Sequence, residues 1–160
     1  MKKIFILGLL LIFNLISAQT AQTPEDIKNQ TRKTVETFFK YFDEKDPERI
    51  ASVVAENVDW YIFESKKFPW TGKRTKRSEI PAVFKTLFSY FNEGKDVVKP
   101  ESFMVDGNEA AVFLVLGREF KSSGKSFSML VAIHFKVENG LITKFCLYEQ
   151  TPILEKAFEK

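Results

Sequence analysis

The chain reads as one α+β domain, with helices of its N-terminal half packed on a curved antiparallel sheet, and three observations predict it. Apolar residues recur at helical spacing up to Phe91, period-two alternation takes over from Val97, and turn chemistry punctuates that second half. No Pro-, Gly- or Ser-rich linker and no internal repeat divides the 160 residues, which suffice for one core and not two.

The first element is an address. Met1, Lys2 and Lys3 precede an apolar run from Ile4 to Ile16, broken only by Gly8 and Asn14, and Ser17-Ala18-Gln19 follows. A basic head, an apolar centre and a small-residue exit are the layout of a secretory signal peptide. The run is shorter than the roughly 20 apolar residues that a membrane span needs. Cleavage is expected after Ala18, so that residues 19–160 form the mature domain, periplasmic or secreted. Losing Lys2 and Lys3 lowers the formal net charge from +3 to +1, a near-neutral balance that argues against nucleic acid as principal partner. Cys146 is the only cysteine, so no intramolecular disulfide is available, and the richness in Phe, 17 in the whole chain, suggests how the core is filled.

Thr23-Pro24-Glu25-Asp26 is a helix start with a cap, Pro at the first helical position and acids in the first turn. Val35, Phe38, Phe39 and Phe42 then form one apolar stripe. Asp46-Pro47-Glu48 starts a short second helix carrying Ile50, Val53 and Val54. A strand rich in aromatic and β-branched residues is predicted over 57–63. The third helix carries Ile80, Val83, Phe84, Leu87, Phe88 and Phe91 on one face, and Asn92-Glu93-Gly94 stops it. Four strands follow, separated by Asp106-Gly107-Asn108, Ser122-Ser123-Gly124 and Asn139-Gly140, the last a strong two-residue hairpin signal.

That order resembles the NTF2-like superfamily, a cone-shaped fold that includes ketosteroid isomerases and SnoaL-type polyketide cyclases. The local matches are Phe38-Phe39-Lys40-Tyr41-Phe42 running into Lys45-Asp46-Pro47, Ala55-Glu56-Asn57-Val58-Asp59-Trp60, Gly72 before the third helix, Asn108-Glu109-Ala110-Ala111, and Ile133-His134-Phe135 before Asn139-Gly140. The resemblance implies a cavity between helices and sheet and a homodimer built on the outer sheet face, which would carry Ala132, His134, Cys146 and Tyr148. It also implies where isomerase chemistry would sit. The carboxylate base falls on Ile62, the Tyr donor on Phe38 and the protonated Asp donor on Ile133, and none of these can exchange a proton or donate a hydrogen bond. A register shift of two in the first strand would bring up Glu64 instead.

Strand parity combined with the resemblance sorts the lining, because side chains two apart share a face. Leu114, Leu116, Met129, Val131, Ile133 and Leu147 face inward from the meander. Trp60, Ile62 and Glu64 join them from the first strand, and Phe38, Phe42, Phe84 and Phe88 from the helices. Arg118 and Glu149 are the inward charges, expected near the mouth. They read as a carboxylate acid–base group beside a guanidinium, or as a structural ion pair. No cofactor or metal is called for, since His134 is the only histidine and points outward. Lys66, Lys67, Lys73, Arg74, Lys76 and Arg77 make residues 66–77 either a landing site for an anionic surface or a solvated loop.

Three functions remain open on these residues. The first is a non-catalytic domain holding a small apolar or amphipathic molecule. The second is a cofactor-free isomerase, lyase or cyclase using Glu149 and Arg118, helped by Trp60 or Tyr61 near the entrance. The third is a cone filled by its own Phe side chains, with only its surfaces at work.

Overall fold

The computed structural model describes residues 22–159, so the signal-peptide expectation for residues 1–18 falls on residues outside those described. The elements are α1 (Pro24–Asp43), α2 (Pro47–Ser52), β1 (Val54–Ile62), β2 (Gly72–Lys76), α3 (Ile80–Ser89), β3 (Val97–Asp106), β4 (Glu109–Glu119), β5 (Ser126–Glu138), β6 (Leu141–Glu149) and α4 (Thr151–Phe158). Among the described residues no helix is long and apolar enough to cross a membrane.

Local chemistry sets the boundaries. Thr23 accepts from the Asp26 backbone N–H at 3.1 Å while Asp26 accepts from that of Thr23 at 3.0 Å, a reciprocal cap that opens α1 ahead of Pro24. The β5–β6 turn places Asn139 at φ 52° and Gly140 at φ 75°, the pair of positive values that a tight primed hairpin requires.

Among the described residues six strands lie in the order β2-β1-β6-β5-β4-β3. All neighbours are antiparallel except β1 and β6, which pair in parallel, Trp60 opposite Phe145 and Ile62 opposite Leu147. The α+β expectation holds, with the sheet mixed rather than wholly antiparallel. The 66–77 segment differs from a plain loop, because Gly72–Lys76 is an edge strand on β1. The third helix ends at Ser89 rather than Phe91, and Phe91 instead bridges to Phe120. A C-terminal helix, α4, which the three-helix expectation does not include, closes the core. It is tied down where Ser65 Oγ donates to Glu155 Oε1 at 2.5 Å, Lys67 Nζ to Glu159 Oε1 at 2.7 Å and Ser123 Oγ to the Ala157 carbonyl at 2.7 Å.

The phenylalanines form two clusters. In one, Phe38 meets Phe39, Phe42, Trp60, Phe84, Phe135 and Phe145. In the other, Phe68, Trp70, Phe91, Phe120, Phe127 and Phe158 pack under α4. Phe38 is buried and joins α1 to both layers of the core. Phe38→Ala is therefore expected to cost about 3–5 kcal/mol of unfolding free energy, measured by denaturant titration. A loss under about 1 kcal/mol would mean that the neighbouring rings close the gap.

Candidate functional site

Between the two aromatic clusters lies a cavity of about 80 Å³. Phe38, Phe42, Phe84 and Phe145 wall one end, Trp70, Phe91, Phe127 and Leu154 the other, and Ile62, Leu114, Leu116, Met129, Val131, Ile133 and Leu147 the sheet side. Only two ionisable groups reach it, Arg118 and Glu149. The strands deliver them by parity. Arg118 lies on the β4 face that carries Val112, Leu114 and Leu116, and Glu149 ends the β6 row of Phe145 and Leu147.

The two charges do not pair with each other. The Arg118 side chain is 3% exposed, and its Nε stands 3.2 Å from Oδ1 of Asp96, a residue of the α3–β3 connection. The two atoms are off hydrogen-bonding alignment, so the attraction is chiefly Coulombic. Asp96 Oδ2 is also 3.2 Å from Lys45 Nζ. The guanidinium is ringed by Phe42, Phe91 and Phe88, at 5.2, 5.0 and 5.9 Å from their centroids. Burial pulls its pKa below the ordinary arginine value, and the Asp96 charge partly offsets this. Arg118 is thus an interior cation rather than a mouth residue.

Glu149 is left alone. Its Oε1 is buried without a hydrogen-bond partner, and burial pushes the carboxyl pKa from 4.5 up to about 7. An apolar wall offers the carboxylate neither donors nor counter-charge, so the protonated form competes near neutrality.

Three expected lining residues lie elsewhere. Glu64 is exposed and stands over Gly72, because β1 ends at Ile62 and strand parity ends with it. Ile62 itself lines the cavity, which rules out the shifted register that would have supplied Glu64 as a base. Trp60 does face inward but lies beneath the wall, fully buried and stacked on Phe145 at 3.8 Å, so it is a core residue and not an entrance group. Tyr61, on the opposite parity, packs its ring on Phe63. Phe88 sits behind Phe42 and Phe84, outside the lining. The positions that steroid isomerisation would use, Phe38, Ile62 and Ile133, all border the cavity and are all apolar.

Other candidates make local contacts. His134 Nε2 is 2.8 Å from Glu109 Oε2 on the outer sheet face. Within residues 66–77, Arg74 donates to the carbonyls of Thr71 and Pro69, Lys76 to Asn57, Arg77 to the Val54 carbonyl and Lys67 to Glu159, leaving Lys66 and Lys73 exposed. Among the described residues no group of three or more His, Cys, Asp and Glu side chains is arranged to hold a metal ion.

Comparisons with known proteins agree with this architecture. The SnoaL-like domain family matches residues 35–145. An NTF2-like protein from Burkholderia xenovorans LB400 is similar at TM-score 0.72 and 19% identity, over 82% of this chain and 98% of that one. TerC, co-crystallized with polyporic acid, is similar at TM-score 0.71 and 16% identity, over 82% and 99%. A candidate polyketide cyclase from Silicibacter sp. TM1040 is similar at TM-score 0.69 and 14% identity, over 82% and 97%. No curated protein sequence matches. At these identities the likeness is one of fold.

The Glu149 carboxyl makes stability depend on pH with a definite sign. Between 4.5 and about 7 the folded protein holds a proton that the unfolded chain has released, so stability falls as pH rises through that window. The full cost, on the order of 3 kcal/mol, is reached above it. Glu149→Gln is therefore expected to gain stability relative to the parent between about pH 5 and pH 8, read from urea melts at both. A difference that does not change with pH would show that the carboxyl is solvated.

Proposed function

The chain belongs to the SnoaL-like domain family of the NTF2-like superfamily, and we propose that it is an exported domain holding a small apolar or amphipathic molecule in its cone. One observation carries the reading. Glu149 places an unpartnered carboxyl oxygen in a wall that is otherwise apolar apart from the Arg118–Asp96 pair, an arrangement that costs free energy until a ligand supplies a donor. The ligand's polar group would meet Glu149 and its apolar body the surrounding rings. That TerC was crystallised with polyporic acid supports a binding role for this kind of cone in general terms.

A second reading, proton transfer, has its own support. With a pKa of about 7 the Glu149 carboxyl is populated both with and without its proton at neutral pH, as a general acid–base group needs. Arg118 is drawn to Asp96 and leaves Glu149 free of a neutralising partner. On a carbonyl substrate Glu149 would take the proton from the adjacent carbon and return it to another atom, while the Arg118 charge would stabilise the enolate oxygen. This chemistry needs no cofactor.

The two readings separate in one experiment. Native mass spectrometry of the protein purified from its own host is expected to show a recurrent bound molecule, lost or weakened in Glu149→Gln. Conversion of that molecule during incubation with the parent protein, and its survival with Glu149→Gln, would establish the catalytic reading. A protein that is always empty and whose cavity admits no probe would refute both.

We also propose a homodimer through the outer sheet face. Phe113, Leu130 and Tyr148 stand exposed there on adjacent strands, and an apolar patch of this kind is a contact surface. Phe113→Asp with Tyr148→Asp is expected to convert a dimer to a monomer in light-scattering chromatography. A parent that is monomeric at high concentration would remove the proposal.

A further inference from the structure

A second space adjoins the cavity. Between α1 and β3 runs an open groove of about 480 Å³, floored by Phe39, Phe42, Phe103 and Leu114. Phe39, Phe42, Val98 and Leu114 border both spaces, so the groove lies directly against the cavity on its solvent side. Its polar lining is of one sign. Glu36, Asp43 and Glu101 stand on it, all exposed, with no Lys or Arg among the lining residues. Arg32 lies over the Phe103 ring at 4.7 Å and only 4.0 Å from Glu36 Oε1, a marginal partner. Farther in, Arg118 and Lys45 share Asp96, which offsets part of their positive charge.

We propose that this groove is the doorway to the Glu149 cavity and the docking site of an amphipathic organic cation. Its apolar tail would lie on Phe39, Phe42 and Leu114, and its ammonium group on the rim, in the shared field of Glu36, Asp43 and Glu101. The proposal rests on the reading of the cone as a small-molecule site and adds the sign of the ligand's charge. One physical effect favours a cation: the carboxylates attract it. An anionic amphiphile of the same length meets repulsion at every carboxylate on its way in.

The test uses three probes with one tail, decyltrimethylammonium, decyl sulfate and uncharged decyldimethylphosphine oxide, each below its micelle concentration. Calorimetric titration into the purified protein at low salt is expected to show the cation binding about tenfold tighter than the sulfate. The preference should shrink at about 0.5 M salt, because the carboxylates are exposed and therefore screened. It should vanish in the variant combining Glu36→Gln, Asp43→Asn and Glu101→Gln, which should bind the uncharged probe as the parent does. Should that variant not fold, the salt dependence of the parent decides. Equal binding of all three probes, a preference for sulfate, or a cation preference that survives high salt or the triple substitution overturns the charge inference and leaves the cone as a binding site. Failure of every probe to bind overturns both.

Discussion

Everything in this fold depends on Phe38 reaching the parallel seam of the sheet. Its ring meets Trp60 of β1 and Phe145 of β6 at 6.4 and 5.6 Å, and those two rings are themselves stacked across the seam at 3.8 Å. The contact is what converts a helix and two distant strands into one object. β1 and β6 are separated by about half of the chain, and in the absence of a disulfide their register is held by hydrogen bonds and by this buried aromatic block. The same block fixes one end wall of the cavity. Its position against Leu114, Val131 and Ile133 follows from the core and needs no separate device.

Against that apolar background the two interior charges have opposite fates. Arg118 is the more buried of the two, yet its charge is retained, because Asp96 approaches from a connecting segment and three aromatic rings accept the guanidinium face. Glu149 has no such help, and its protonation equilibrium moves instead. One carboxylate is spent on holding a cation in place, and another is left available. That division distinguishes this cone from one in which Arg118 and Glu149 simply neutralise each other.

The fold was legible where periodicity is strong. Phe38 and Phe42 on α1 and Phe84 on α3 follow from spacing, and the inward rows of β4, β5 and β6, with Arg118 and Glu149 in them, follow from parity once the resemblance says which face is inward. What escaped has physical reasons. β2, Gly-Lys-Arg-Thr-Lys, is an edge strand with exposed side chains and carries no apolar alternation to mark it. α4 is two turns long, begins at Thr151 after Gln150 with no side-chain cap, and has no long apolar stripe to mark it. The Arg118–Asp96 pair joins a strand to a loop, and no spacing rule connects them. Trp60 had the right parity and the wrong depth, since alternation says which face a side chain takes and not whether another ring lies over it.

The volumes add a last constraint. A cavity of about 80 Å³ holds about three waters at roughly 30 Å³ each, so a ligand of any size must move side chains or remain partly in the groove outside. Movement is not equally costly in all directions. The α4 side is closed by Leu154 and pinned by hydrogen bonds from Ser65, Lys67 and Ser123, and breaking these to admit a ligand would also expose Phe158. The α1–β3 side is bounded by the half-buried rings of Phe39 and Phe42 and by an edge strand whose residues are mostly exposed. Rotating a half-buried ring forfeits less packing than unseating a helix. The cavity therefore grows most cheaply toward the acidic groove at Phe39 and Phe42, while Glu149 itself also borders an open pocket with Leu130, Tyr148 and Gln150.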